Sequence, residues 1–289
     1  MSEKKIIAAI GGDRRLVEAV RRFARDNTVS CYGWDNCPEI CGSIKRCSTL
    51  EETVKNADIV ILGLPCSPDG KVLAAPLCDI SIRISDLTAV IPKDTVICGG
   101  MLPTEITENF CKCIDYYKDE LLQTGNAVPT AEGAIMIAMQ ETPFTIDGSH
   151  CAVLGSGRIA KALVPRLKAL NAEVTVAARK KTDRAYWETQ GIKVCGFEKA
   201  KDILPYTDIL FNTVPALVVG KTELDIFNNN GIIIDLASRP GGVDFEYGKK
   251  MGKRIIWALS LPGKVAPVTA GRIIYNTVVT LLNEKGVMV

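Results

Sequence analysis

Short runs of apolar residues that stop at glycine or proline recur along this chain, and each leads towards a helix-period pattern. Lys5-Ile6-Ile7-Ala8-Ala9-Ile10 ends at Gly11-Gly12 and is followed by Leu16, Val17, Val20, Phe23 and Ala24 at helical spacing. A strand is expected over residues 28–34. Residues 57–62 end at Gly63-Leu64-Pro65, and residues 95–98 end at Gly99-Gly100. A strand with one wet face alternates apolar and polar residues, whereas 6–10, 59–62 and 96–98 are apolar throughout. Both of their faces must therefore be covered, which is the condition of a parallel sheet with helices on either side.

The second half repeats the plan. Residues 150–154 end in Gly155-Ser156-Gly157, and a helix follows with Ile159, Leu163, Leu167 and Leu170. Further strands are expected at residues 173–178, 207–212, 231–235 and 254–258. The run 207–212 mirrors 57–62 and again leads to a proline, Pro215. Two such series predict an α/β protein of two doubly wound, Rossmann-like domains with parallel sheets. Gly125-Asn126-Ala127-Val128-Pro129-Thr130 introduces an apolar helix over residues 131–140, and Pro267 opens a last helix over residues 272–284. These two helices are expected to bridge the domains across a cleft, with the last one returning to the first domain. The domains are then residues 1–127 plus 268–289, and residues 128–267.

Composition excludes several classes. The chain has 289 residues, enough for two cores, and a formal net charge of +2 with no block of either sign. No nucleic-acid stripe is present, and no apolar run approaches the roughly 18 residues of a membrane span. Residues 6–10 are too short for the apolar segment of a secretion signal, so a cytoplasmic protein with reduced thiols is expected. The 11 cysteines include Cys31, Cys37, Cys41 and Cys47 in one stretch and the pair Cys111 and Cys113. Zinc sites use paired CxxC spacing or histidine partners. The spacings here fit neither and the one histidine is His150, so no metal is expected and the cysteines read as small apolar fillers.

Gly155-x-Gly157-x-x-Ala160 follows a strand and opens a helix. The first glycine permits a tight turn, the second lets backbone approach a pyrophosphate, and Ala160 allows close helix–strand packing. The helix start then offers unpaired N–H groups to phosphates. Gly155, Ser156, Gly157, Arg158 and Ile159 are the expected phosphate contacts. The end of the following strand selects the cofactor. An NAD enzyme usually carries Asp or Glu there for the ribose 2′-hydroxyl. This chain has Ala178-Arg179-Lys180, with Lys181 and Thr182 beyond. Arg179 can stack on adenine and pair with a 2′-phosphate, so NADP is expected over NAD. Thr213, Val214 and Pro215, after the strand at 207–212, are expected beside the nicotinamide ribose. The first domain has Gly11-Gly12-Asp13 in place of GxGxxG and reads as the substrate half.

Several segments together resemble one family, the A subunit of dipicolinate synthase. They are Gly11-Gly12-Asp13-Arg14, Asn126-Ala127-Val128-Pro129-Thr130-Ala131-Glu132-Gly133, Gly155-Ser156-Gly157-Arg158, Asp235-Leu236-Ala237-Ser238-Arg239-Pro240-Gly241-Gly242, Asp244-Phe245-Glu246-Tyr247 and Leu261-Pro262-Gly263-Lys264-Val265-Ala266-Pro267. The likeness runs from the first strand to the last helix; the cysteine-rich stretch from Cys31 to Cys47 departs from it. The resemblance implies oxidation of dihydrodipicolinate, or its hydrated precursor, to dipicolinate with NADP⁺. The setting implied is the mother-cell cytoplasm during sporulation, and the partner implied is a flavoprotein-like B subunit. Assembly with further copies of the chain is also open.

Aromatising a dihydropyridine needs loss of a hydride and a proton, and placement of the ring matters more than a strong base. Two carboxylates need donors, and the candidates are Arg14, Ser67, Thr130, Ser238, Arg239 and Lys264. Lys264 is also a candidate catalytic residue beside Asp13 and Glu132, either of which can accept the proton and either of which suits a helix cap. His150 starts a strand and reads as structural. Two alternatives stay open: another NADP-dependent two-domain dehydrogenase, and a non-catalytic NADP(H)-sensing protein. A charge-assisted contact to a 2′-phosphate contributes about 1.5–3 kcal/mol. Arg179→Asp should therefore weaken NADP⁺ binding by roughly tenfold or more and spare NAD⁺. Equal titration curves for the two cofactors on the unmodified protein would refute the preference.

Overall fold

The structure, a computed structural model, describes residues 4–37, 40 and 42–288. It divides into two compact units, Met1–Asn126 with Ala266–Val289, and Ala127–Val265. The first unit begins β1 (Ile6–Ile10), α1 (Arg14–Phe23), β2 (Thr28–Tyr32), β3 (Ile44–Arg46) and α2 (Leu50–Val54). It continues β4 (Ile59–Leu62), α3 (Ile84–Val90), β5 (Val96–Gly99), α4 (Thr104–Asn109) and β6 (Cys113–Asp115). The helix α5 (Glu120–Glu141) starts in this unit and runs into the next.

The second unit contains β7 (His150–Leu154), α6 (Arg158–Ala169), β8 (Glu173–Ala177), α7 (Lys181–Thr189) and β9 (Lys193–Cys195). Then come α8 (Phe197–Ala200), β10 (Ile209–Asn212), α9 (Lys221–Ile226), β11 (Ile232–Asp235) and α10 (Phe245–Lys250). It closes with β12 (Arg254–Trp257) and α11 (Leu261–Val265), after which α12 (Pro267–Glu284) belongs to the first unit.

Both sheets are parallel and six-stranded, ordered β3-β2-β1-β4-β5-β6 and β12-β11-β10-β7-β8-β9. Counted within each unit the two orders are the same, and both are the doubly wound arrangement predicted from the apolar runs. The two-sided burial is explicit in the side chains. Ile7 and Ala9 enter one apolar cluster while Ala8 and Ile10 enter another on the opposite face. In β7, Cys151 and Val153 alternate with Ala152 and Leu154 in the same way.

Three short strands escape the sequence pattern. β3, β6 and β9 are edges of three residues each and carry lysine, arginine or aspartate, because an edge needs less cover. The strand expected to reach residue 34 stops at Tyr32, since Gly33 turns the chain with φ +79°. The helix expected at 131–140 starts eleven residues earlier, at Glu120, and continues through Pro129. A proline there forgoes one backbone hydrogen bond, which the rest of a long helix tolerates.

In the first unit α12 packs against α1 along a close seam. Phe23 meets Tyr275 edge to face with ring centroids 4.7 Å apart. A Cβ on Gly271 would lie 2.6 Å from the carbonyl oxygen of Arg15 and 3.1 Å from the amide nitrogen of Ala19. Backbone cannot retreat as a flexible side chain can. Gly271→Val should thus cost about 1–3 kcal/mol or more through overpacking, read as a lower denaturant midpoint. An unchanged midpoint would mean the seam is looser than described.

Candidate functional site

The carboxyl ends of β7, β8 and β10 carry the residues that the sequence assigns to a dinucleotide. Gly155 has φ +105°, a conformation that side chains disfavour, and a Cβ there would collide with the hydroxyl of Thr213. Thr213 is held in turn, donating from its hydroxyl to Leu154 O at 2.8 Å and from its amide to the same oxygen at 2.9 Å. Gly157 is the N-cap of α6, makes no side-chain cap bond, and has nothing within 4 Å of a Cβ position. Ala160 is fully buried beneath the turn. An open turn at the start of a twelve-residue helix, with backbone donors and a positive dipole end, fits a pyrophosphate.

At the end of β8, Ala178 is buried while Arg179 and Lys180 are exposed. Arg184 of α7 shapes this turn by donating to Ala178 O at 2.8 Å and Arg179 O at 3.0 Å. No carboxylate stands between Ala177 and Lys181; the first is Asp183, in the first turn of α7. Val214 and Pro215 extend the loop after β10.

The corresponding turn of the first unit is built differently. Gly11 and Gly12 have φ +59° and +76°, and Gly12 donates its N–H to Ala74 O at 2.6 Å. A Cβ on Gly11 would sit 3.2 Å from that of Ala75. The chain's own segment thus fills the space that is open over Gly157. Asp13 caps α1, accepting from Arg15 N at 2.9 Å, and its carboxylate also takes the Arg15 guanidinium at 2.8 Å. Of the two roles open to Asp13 in the sequence, the structure displays the cap. Arg14 is exposed, whereas Arg15 is buried and also donates to Leu64 O.

The other candidates fall into separate places. Ser67 donates to Val72 O at 2.6 Å and accepts from Gly70 N at 2.9 Å, so its hydroxyl is committed to a turn. Backbone N–H groups of Val72 and Lys71 hold the neighbouring Asp69 carboxyl below its usual range. Thr130 is half-buried in α5. Glu132, exposed on the same helix, pairs with Arg166 at 3.3 Å. A Cβ on Gly133 would be 3.2 Å from Leu261 and Val265, so α11, which carries the exposed Lys264, lies against α5 beside Glu132. Ser238 and Arg239 are exposed in the turn after β11, where Ser238 O accepts from Gly241 N at 2.8 Å. The Arg239 guanidinium stands over Trp257, 5.7 Å from the ring centroid, and Trp257 stacks on Phe245 at 4.9 Å. His150 lies at the opposite end of β7 from Gly155, exposed between Glu173 and Asp208 at 3.6 Å from each.

Sequence reasoning missed a buried polar pair. Asn212 and Asp235 are both wholly buried and sit side by side as the last residues of β10 and β11. The Asn212 amide donates to Asp235 Oδ1 at 2.8 Å and to Val214 O at 3.0 Å, and Asn212 Oδ1 accepts from Val214 N at 3.1 Å. Asp235 also accepts from Ala237 N at 3.0 Å and Gly242 N at 2.8 Å. One pair thereby fixes both the Thr213–Pro215 loop and the turn bearing Ser238 and Arg239. The available signal was a polar residue closing each of two otherwise apolar strands.

The cysteines are mostly packing groups. Burial pushes the thiols of Cys31, Cys66 and Cys98 up to about 12 and that of Cys151 to about 11, so they stay protonated at neutral pH. Cys41 lies outside the described residues. Among the described residues no group of three or more His, Cys, Asp or Glu side chains is placed to hold a metal, and no helix is long and apolar enough to cross a membrane.

Asp235→Ala would leave two backbone N–H groups and the Asn212 amide without their acceptor, at about 1–3 kcal/mol for each orphaned donor. Unfolding of the second unit should shift down by about 3 kcal/mol or more, followed by denaturant titration. A shift below about 1 kcal/mol would show that the pair is not what holds these loops.

Comparison with known proteins agrees with this geometry. Residues 6–117 match the family model of the N-terminal domain of the dipicolinate synthase A subunit. Residues 121–244 match that of the D-isomer specific 2-hydroxyacid dehydrogenase NAD binding domain, so the second unit is a nicotinamide-dinucleotide domain of the dehydrogenase type. The A subunit of dipicolinate synthase from Bacillus subtilis (strain 168) is 32% identical over 285 residues, covering 96% of each chain. The crystal structure of the Bacillus halodurans counterpart superposes with a TM-score of 0.88 at 32% identity, covering 96% of this chain and 97% of the other. The crystal structure of the Bacillus subtilis protein gives 0.86 at 31% identity, covering 98% and 97%. Extending over nearly the whole length of both units, this similarity places the chain in the family of dipicolinate synthase A subunits.

Proposed function

We propose that the protein oxidises dihydrodipicolinate, or its hydrated precursor, to dipicolinate with NADP⁺. The observation that carries the reading is the open Gly155–Gly157 turn beside the cationic end of β8, in a chain that matches a dipicolinate synthase A subunit over 96% of its length. Backbone at Gly155, Gly157 and the start of α6 would hold the pyrophosphate, Arg179 and Lys180 the 2′-phosphate, and the Thr213–Pro215 loop the nicotinamide ribose. When bound, the cofactor supplies a hydride acceptor for the ring carbon.

The remaining work belongs to side chains of this protein. The substrate is a cyclic dianion, and a poorly paired carboxylate in a desolvated site is costly. Arg239 supplies one guanidinium, held over the face of Trp257 so that little ordering is needed on binding. Lys264 supplies a second cation on α11. Glu132, exposed beside α11, is the better proton acceptor: its pair with Arg166 is the longer at 3.3 Å, whereas Asp13 is held by Arg15 at 2.8 Å and also caps α1. Among the donors expected for the carboxylates, Ser67 is the weakest, because its hydroxyl hydrogen is given to Val72 O. A flavoprotein-like B subunit is the proposed partner, and the mother-cell cytoplasm of a spore former the proposed setting.

A coupled assay with dihydrodipicolinate synthase, following dipicolinate absorbance and NADPH together, tests the reading. Both signals should rise in step. Removing one carboxylate-binding cation costs about 2–5 kcal/mol, so Arg239→Ala and Lys264→Ala should each lower kcat/KM by roughly thirtyfold or more with NADP⁺ affinity near normal. Unmodified turnover in both variants would show that the carboxylates are held elsewhere.

A further inference from the structure

Trp187 is one of the largest wholly buried side chains, and it does more than fill volume. It lies on α7, and its indole N–H donates to the hydroxyl oxygen of Ser156, the residue between the two turn glycines, at 2.9 Å. The direction of this bond is fixed, because an indole nitrogen can only donate. A serine hydroxyl has one hydrogen and two lone pairs. Accepting from Trp187 occupies a lone pair and turns the O–H away from the indole. Among the described residues, no hydrogen bond takes that hydrogen. Ser156 itself is half-buried next to Gly157, over which the space is open.

The choice of tryptophan supports a specific purpose. An indole N–H buried at 1% exposure is costly without an acceptor, so phenylalanine or leucine would suit a purely apolar position better. Tyr186 packs edge-on against the indole with centroids 5.0 Å apart, and Lys161 of α6 lies 5.4 Å above the Tyr186 ring. The same helix α7 carries Arg184, which shapes the turn at the end of β8. α7 thus grips both loops assigned to the cofactor.

We propose that Trp187 is a positioning residue for the phosphate turn: its indole N–H fixes the Ser156 hydroxyl as a hydrogen-bond donor to the pyrophosphate of the dinucleotide. This rests on the reading of Gly155–Gly157 as the pyrophosphate site. Trp187 touches no ligand itself and acts through Ser156. A merely structural Trp187 would alter stability without coupling to Ser156 in ligand affinity.

The test is a double-mutant cycle read by calorimetric titration of NADP⁺ into the unmodified protein, Ser156→Ala, Trp187→Phe and the double variant. A hydrogen bond to a charged group supports a loss of about tenfold in each single variant, and the double variant should bind no more weakly than Ser156→Ala. Adenosine 2′-monophosphate, which lacks the pyrophosphate, should bind all four proteins alike. Additive losses, or NADP⁺ affinity unchanged in Ser156→Ala, would overturn the role of Trp187 and leave the cofactor reading standing. Failure of the unmodified protein to bind NADP⁺ or NAD⁺ would overturn the cofactor reading and this inference with it. Should Trp187→Phe not fold, Ser156→Ala is read first. Equal binding by Ser156→Ala refutes the proposal, and after a selective tenfold loss the same cycle with Trp187→Tyr, which also lacks the indole N–H, gives the coupling that supports or refutes it.

Discussion

The central strands of both units are apolar on both faces, and the rest of the structure follows from that constraint. A backbone buried this way must satisfy its N–H and C=O groups within the sheet, which the parallel ladders from β1 to β12 do. Crossover helices must then cover each face, so loops and polar side chains are driven to the strand ends. The carboxyl ends gather the candidate site, and the amino ends carry surface pairs such as His150 with Glu173 and Asp208. These exposed pairs contribute little to stability. Their position at the amino ends of the strands also removes the one histidine from the carboxyl-end loops.

Two units with one strand order differ at the turn after the first strand. In the first, Gly12 gives its N–H to Ala74 O and Asp13 closes the helix start with its own carboxylate. In the second, Gly157 caps α6 without a side-chain bond and leaves its surroundings open. A helix N-terminus attracts negative charge in either case. The first unit satisfies it internally with Asp13, and the second leaves it for a ligand. Topology is therefore common to both, while the capacity to take a dinucleotide belongs to local turn chemistry.

Loops at a sheet edge are the least constrained part of such a fold, and this protein ties them down from beneath. Asp235 and Asn212 join the loops after β10 and β11 through hydrogen bonds shielded from water, where each is worth more than at the surface. α7 joins the loops after β7 and β8 through Trp187 and Arg184. Trp257 serves the exposed Arg239 in a similar way, with its indole bonded to Ala237 O at 3.0 Å and its face under the guanidinium. The groups assigned to ligands are thus presented by rigid neighbours, which lowers the entropy lost on binding.

The amino-acid sequence by itself determined the class of fold, the doubling of the plan and the location of the phosphate turn. Hydrophobic periodicity and glycine placement are local properties, and two-sided burial leaves a continuous trace in them at 6–10, 59–62, 150–154 and 232–235. The family resemblance was equally legible, since runs such as Asp235–Gly242 and Leu261–Pro267 can be read without coordinates. Three of the four edge strands were not, because β3, β6 and β9 are short and polar and lack that trace. Nor was the continuation of α5 through Pro129, which local preference opposes. The pairings of Arg239 with Trp257, Asn212 with Asp235 and Ser156 with Trp187 join residues separated by 18 to 31 positions. Such pairings depend on which loops the sheet order brings side by side, and only the tertiary structure decides that.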